Sequence, residues 1–302
     1  MSENNRKEVH VFLRGGLGNQ LFQYASGLAI SKAHKKRLIL REDLLPAKED
    51  SIGGISRWPN QVSLFSHSAE IRYKKHQPPF STNAFGKSMA IQRAIGDLTP
   101  SIVEKFGMHS AERRNLPGDI SVFTKTRIVN AYMSHLNLVL AVKDQVASEV
   151  GQILNPSHNF RELSHEAILK KPVIVHLRLG DYVGLGSVFG ELGEIFIANA
   201  LLNSSSAPRW LFTQRKSELS DAVLDLIQPE RIIDGAILPS SIENLAIMSI
   251  GSSLIASNST LSWWSAILSP PETIVVAPYF QGKINNFSPE LSLPNWISIN
   301  AN

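Results

Sequence analysis

Between residues 172 and 277 the chain repeats one pattern: a short apolar run, a polar or glycine-containing turn, then apolar residues at helical spacing. The apolar runs fall at residues 173–176, 210–213, 231–233, 253–256 and 273–277, and the helical stretches at 194–203, 217–227, 242–250 and 260–268. Runs this short and this uniformly apolar suit strands covered on both faces. Strands separated by helices cannot pair as hairpins, so each connection crosses over and the sheet is parallel. The pattern predicts an open, doubly wound α/β sheet for the second half of the chain. Ligands of such sheets bind beyond the carboxyl ends of the strands, where loops lead into helix N-termini whose free N–H groups suit anions.

The first half opens the same way. Residues 9–13 read as a buried strand that stops at Gly15-Gly16-Leu17-Gly18, after which Leu21, Phe22, Tyr24, Ala25, Leu28 and Ala29 recur at helical spacing. A second strand at residues 37–41 completes a β-α-β unit and hence a parallel sheet. From about residue 50 to 115 the pattern weakens into mixed polar residues and Pro78-Pro79, read as helices and long loops. Residues 126–132 resemble a strand, and residues 136–154 carry helical periodicity that ends near Asn155-Pro156, a natural domain boundary. Single cores tend to split at about 250 to 300 residues, so a chain of 302 is expected to form two domains, 1–155 and 156–302.

Composition excludes several classes of function. With 43% hydrophobic and 19% charged residues the chain is an ordinary globular one rather than disordered or fibrous. It has no cysteine, which rules out disulfides, thiolate metal sites and a cysteine nucleophile. The formal charge is +4 with a pI near 9.2, but the basic runs Lys35-Lys36-Arg37, Lys74-Lys75 and Arg113-Arg114 lack the interleaved aromatics of a nucleic-acid surface. That balance suits an anionic small substrate, an anionic membrane surface or plain solvated charge. The first eight residues are polar, and the apolar stretch at 9–13 is too short for a signal or spanning segment, so a cytoplasmic location is expected.

Three motifs sit where a parallel sheet would place a ligand. Gly15-Gly16-Leu17-Gly18-Asn19-Gln20 follows a strand and opens a helix, so its backbone can turn sharply and approach a ligand closely. Neither the spacing of a dinucleotide fingerprint nor the Gly-Lys-Ser/Thr of a P-loop is present, which argues against a dehydrogenase. A tight turn with Asn19 as a cap explains the segment equally well. His176-Leu177-Arg178-Leu179-Gly180-Asp181-Tyr182 follows an apolar strand, which brings His176 and Arg178 to the carboxyl edge of the sheet. The Arg178 guanidinium can bridge diphosphate oxygens, or pair with Asp181 to fix the loop. Ser257-Asn258-Ser259-Thr260 ends a strand and begins the helix of Trp263 and Trp264. Its hydroxyls and N–H groups suit a phosphate or serve as a helix cap, and the two tryptophans read as core.

Taken in order, Gly15 to Ala25, the His-x-Arg-x-Gly-Asp-Tyr segment and Ser257-Asn258-Ser259-Thr260-Leu261-Ser262-Trp263-Trp264 resemble the alpha-1,2-fucosyltransferases, glycosyltransferase family eleven. The resemblance implies an α/β, GT-B-like architecture of two Rossmann-type domains with a cleft between them. It also implies GDP-L-fucose as donor, no metal or other cofactor, and inversion at the transferred sugar; the sequence has no Asp-x-Asp segment to hold a metal-bridged diphosphate. By the same resemblance Arg178 contacts the donor's β-phosphate and His176 supports its loop. Ser257, Asn258, Ser259 and Thr260 bind donor, and Gly16, Gly18 and Asn19 complete the site from the N-terminal, acceptor-side domain. Arg178, Asn19 and Asp181 are the candidate catalytic residues, with Asp181 either a general base or a holder of the loop.

The expected reaction is transfer of fucose to a hydroxyl of a glycan acceptor, O-2 of a galactosyl residue by analogy. The acceptor would be a galactose-terminated or lipid-linked oligosaccharide of bacterial surface polysaccharide such as O-antigen or lipopolysaccharide, met at the inner face of the membrane. Two departures keep alternatives open: Leu179 stands where many members carry a second arginine, and Thr213-Gln214-Arg215 stands where they carry a Ser-Asp-Asp-like segment. Another GDP-sugar as donor, or a non-catalytic GDP-sugar or carbohydrate-binding module, fits those departures.

Overall fold

The computed structural model describes residues 8–42, 44–52, 55–67, 72–74, 108–110, 118–178 and 190–301. The chain divides into two compact units, Met1–Ile52 with Ser56–Gln152, and Ile153–Asn302 with Gly53–Ile55.

In the first unit the strands are β1 (Glu8–Phe12), β2 (Arg37–Arg41), β5 (Arg72–Lys74), β6 (Met108–Ser110) and β7 (Ile128–Asn130); β3 (Asp50–Ile52) and β4 (Ile55–Arg57) pair separately. The sheet runs in the order β5-β2-β1-β7-β6, with every pair parallel. Helix α1 (Leu17–Ala33) makes the β1-to-β2 crossover, and apart from Asn19 every residue from Leu17 to Ser31 is buried. A helix buried all round must satisfy its polar side chains internally. Gln20 Nε2 donates to the Gly15 and Pro59 carbonyls at 2.8 and 3.0 Å, and its Oε1 accepts from Gln61 N at 2.8 Å. Gln23 Oε1 accepts from Arg14 N at 2.9 Å, so two buried glutamines pin the glycine loop to the helix it opens.

The helical periodicity at 136–154 resolves into two helices, α2 (Leu136–Leu140) and α3 (Lys143–Val150), with Ala141 and Val142 between them. A further helix not anticipated from the pattern, α4 (His158–Lys170), opens the second unit. Its start is fixed by Ser157, whose Oγ accepts from Phe160 N at 3.1 Å and whose N and Oγ both donate to Glu243.

The second unit carries the alternation expected of it. Strands β8 (Val173–Leu177), β9 (Arg209–Thr213), β10 (Arg231–Ile233), β11 (Ser253–Ile255) and β12 (Ile274–Tyr279) alternate with α5 (Glu194–Leu202), α6 (Asp221–Ile227), α7 (Ser241–Met248) and α8 (Thr260–Leu268). One strand is added, β13 (Ile297–Asn300), parallel to β12. Its Ile-Ser-Ile-Asn alternation is that of a half-covered edge strand and lacks the continuous apolar run used to find the others. The strand order is β10-β9-β8-β11-β12-β13, all parallel. Counted from β8 this is 3-2-1-4-5-6, the doubly wound order, whose direction reverses between β8 and β11. Val173, Val175, Leu177, Phe196, Ile197, Leu211 and Ile255 are buried together in one core cluster.

Candidate functional site

The reversal of strand order leaves a gap above β8 and β11, because the connections from these neighbours leave in opposite directions. Register sets what reaches that edge. Leu177 is level with Thr213 of β9, and Val175 with Ile255 of β11, so the residues that follow, Arg178, Gln214 and Ser257, emerge at one end of the sheet. An open pocket of about 190 Å³ lies there. Arg178, Ser257 and Asn258 line one part of it; Glu218, Leu219, Ser220 and Val223 line another, with Leu192, Ile197 and Phe280.

Behind this lining His176 is buried at 6% exposure. Its Nδ1 lies 2.5 Å from Ser262 Oγ and 3.2 Å from Ser257 Oγ, and the two hydroxyls are 3.0 Å apart. Loss of water, reinforced by the neighbouring Arg178 charge, pushes the His176 pKa down from 6.5 to about 3, so the ring is neutral at physiological pH. A neutral imidazole locked into two serines is a brace: it ties the end of β8 to the start of α8 and so sets where Arg178 begins. Arg178 itself is partly exposed and lines the pocket.

The start of α8 is built from the second serine motif. Ser259 is the N-cap, its Oγ accepting from Leu261 N at 3.2 Å, and no acidic residue occupies the first turn. The partial positive charge of this helix end is therefore not offset by its own sequence. Asn258 is buried and spends its side chain on the chain beyond β12: Nδ2 donates to the Ile284 carbonyl at 2.6 Å and Oδ1 accepts from Asn286 N at 2.8 Å. Ser259 and Thr260 do not line the pocket, whereas Ser257 and Asn258 do. Trp263 and Trp264 are fully buried, edge to face at 5.4 Å, with Trp263 Nε1 donating to the Leu291 carbonyl.

The glycine loop belongs to the first unit. Gly15 has φ +74°, a left-handed conformation, and a Cβ there would meet Asn19 Nδ2 at 2.6 Å. Gly16 is the N-cap of α1 and makes no side-chain cap; Asn19 sits in the first turn, partly exposed, so it does not cap the helix. Gly18 is buried in the same turn. Of the sequence-derived site residues, Asp181 lies outside the described residues, as do Leu179, Gly180 and Tyr182.

Motif reading overlooked three features of the site. Ser262, the nearest partner of His176, lies within a quoted motif one turn past the cap, where only an imidazole from another strand reveals its use. The wall from Glu218 to Val223 follows a strand end, which general topology marks but no motif does. Phe280 comes from the loop after β12, more than 90 positions beyond the arginine motif, and only folding brings it near. Among the described residues no group of three or more His, Asp or Glu side chains converges as metal ligands, and no helix is long and apolar enough to cross a membrane.

Comparison with known proteins agrees with this architecture. A crystal structure of the fucosyltransferase NodZ from Bradyrhizobium aligns over 88% of this chain and 95% of its own, with a TM-score of 0.50 and 15% identity. NodZ alpha-1,6-fucosyltransferase soaked with GDP-fucose aligns over 88% and 94% at a TM-score of 0.45 and 15% identity. The E. coli ADP-heptose lps heptosyltransferase II aligns over 97% and 90% at 0.45 and 12%. At such identities the likeness is one of fold, the two-unit α/β architecture called GT-B. No curated protein matches the sequence. The family model of glycosyl transferase family 11 matches residues 115–300, which takes in Arg178, Ser257 and Thr260 but not the glycine loop. This match spans more than half of the chain, and the protein belongs to glycosyl transferase family 11, which includes alpha-1,2-fucosyltransferases.

Proposed function

We propose that the protein transfers L-fucose from GDP-L-fucose to a hydroxyl of a glycan acceptor, O-2 of a galactosyl residue, with inversion. The observation that carries this reading is the arginine at the switch-point pocket: Arg178 lines it at the end of β8, braced from behind by a neutral His176. Family membership supports sugar transfer, and the NodZ structure soaked with GDP-fucose comes from a protein of like fold. The alpha-1,2 linkage and the galactosyl acceptor rest on the three-motif resemblance.

In this reading the acceptor oxygen attacks the anomeric carbon as the bond from that carbon to the β-phosphate oxygen breaks. The electron pair leaves with GDP, and Arg178 neutralises the charge that develops there. Ser257 adds a hydroxyl on the same side, and His176 positions without exchanging protons. Asp181 is the proposed acceptor of the hydroxyl proton. For the first unit we propose that Gly16, Gly18 and Asn19 serve the acceptor, and for the second that it holds the nucleotide.

Because removing one donor from a developing oxyanion costs about a hundredfold or more, Arg178→Ala should lower kcat by that factor with an unchanged thermal midpoint. GDP release from GDP-fucose in the presence of galactose-terminated oligosaccharides is the measurement. Turnover within threefold of the parent protein would remove Arg178 from this role, and binding of GDP-sugars with no turnover on any acceptor would favour a binding module instead.

A further inference from the structure

At the end of β9 and just after it, three side-chain oxygens are buried without a hydrogen-bond partner among the described residues: Thr213 Oγ1, Gln214 Oε1 and Glu218 Oε2. Of the three residues, Glu218 lines the pocket. Its carboxylate is oriented by Arg215, whose Nη1 lies 3.3 Å from Oε1 on the outer side, where Arg215 is largely exposed. The other oxygen is shielded from water and meets no donor among the described residues. A carboxylate can only accept, and a buried acceptor without a partner is unfavourable, so this oxygen is poised for a donor that arrives with a ligand.

The surroundings narrow the kind of ligand. Leu219 and Val223 flank Glu218, and Leu192 and Ile197 also line the pocket, an apolar setting suited to a planar base. Arg178 supplies a cation to the same pocket. Two carboxylates line it, the exposed Glu191 and Glu218; the guanidinium together with Glu218 and its apolar neighbours matches a nucleoside diphosphate, which carries negative charge at one end and hydrogen-bond donors at the other. We infer that Glu218 reads the nucleoside of the donor, its carboxylate accepting from two adjacent donors while the base lies against Leu219 and Val223. Two parts of a guanosine offer that pair: the N1–H with the 2-amino group of guanine, and the 2′ and 3′ hydroxyls of ribose. This inference rests on the proposal that the pocket holds a nucleotide sugar.

Isothermal titration of the parent protein, Glu218→Gln and Glu218→Ala with GDP, inosine diphosphate, 2′-deoxy-GDP and pyrophosphate tests it. Thermal midpoints confirm that the variants are folded. The parent protein should prefer GDP at least fivefold over inosine diphosphate if guanine is the source of the donors, or over 2′-deoxy-GDP if ribose is. A folded variant should bind GDP at least fivefold more weakly, lose that preference, and bind pyrophosphate as the parent does. GDP affinity within fivefold of the parent, an equal loss for pyrophosphate, or a parent protein that binds all three nucleotides alike would overturn the role of Glu218 and leave the nucleotide-sugar reading standing. A parent protein that binds no GDP would overturn both.

Discussion

Replacing His176 by asparagine should make the second unit less sensitive to mild acid, by an amount that follows from the ring's burial. In the folded protein the ring stays neutral until the pH approaches about 3, because it is cut off from water and faces the Arg178 charge. In the unfolded chain it takes up a proton as pH falls through about 6.5. Between these limits the unfolded state binds more protons, so stability falls as pH falls, with a slope approaching about 1.4 kcal/mol per pH unit; above 6.5 the group adds no dependence. From pH 7.5 to 5.5 the loss is about 1.4 kcal/mol. Asparagine cannot titrate, yet it can still hydrogen-bond Ser262, so the variant lacks this loss while every other titrating group is shared. Urea unfolding followed by tryptophan fluorescence suits the measurement, since Trp210, Trp263 and Trp264 are buried in that unit and report on it. The stability difference between parent and variant should shift by about 1.4 kcal/mol in favour of the variant between pH 7.5 and 5.5. Parallel pH profiles would refute the reasoning, because they would mean that the folded ring accepts a proton as readily as the unfolded one.

Helix α1 approaches its sheet so closely at Gly27 that a Cβ there would stand 2.8 Å from Val11 Cγ2 and 2.9 Å from Leu38 Cδ1. Gly27→Ala should therefore destabilise the first unit by about 1–3 kcal/mol, despite the better helix propensity of alanine, which calorimetry can measure. Asn258→Ala removes the bonds to the Ile284 carbonyl and Asn286 N, and should cost about 1–3 kcal/mol locally. Faster hydrogen exchange at the Asn286 amide, with little change in β8, is the expected readout.

Much of the fold is legible in the chain because burial leaves a periodic trace. The runs at 173–176 and 253–256 are continuous and apolar since both faces of those strands are covered, and they appear as β8 and β11. Helix α4 escaped notice because its two buried positions, Leu163 and Ala167, form too narrow a stripe to stand out. The split between α2 and α3 escaped because an apolar pattern can continue through a break in backbone hydrogen bonding.

The site divides along the same line. Local chemistry marked Arg178 and the serine motif as candidates for anion binding, since a guanidinium at a strand end and hydroxyls at a helix start suit an anion as well as an ion pair or a cap. Which of those residues meet the pocket is a matter of three-dimensional packing. Ser257 and Asn258 line it, Ser259 is spent on its cap, and His176 turns inward to Ser262. Glu218 and Phe280 belong to no local pattern; they reach the pocket because crossover helices return neighbouring strands to one edge of the sheet. The parallel α/β units and the arginine at a sheet edge can be read from the chain, because periodicity and residue chemistry act over a few positions. Strand order, the neutral state of His176 and the place of Glu218 in the pocket wall emerge only on folding, because each depends on groups brought together from distant parts of the chain.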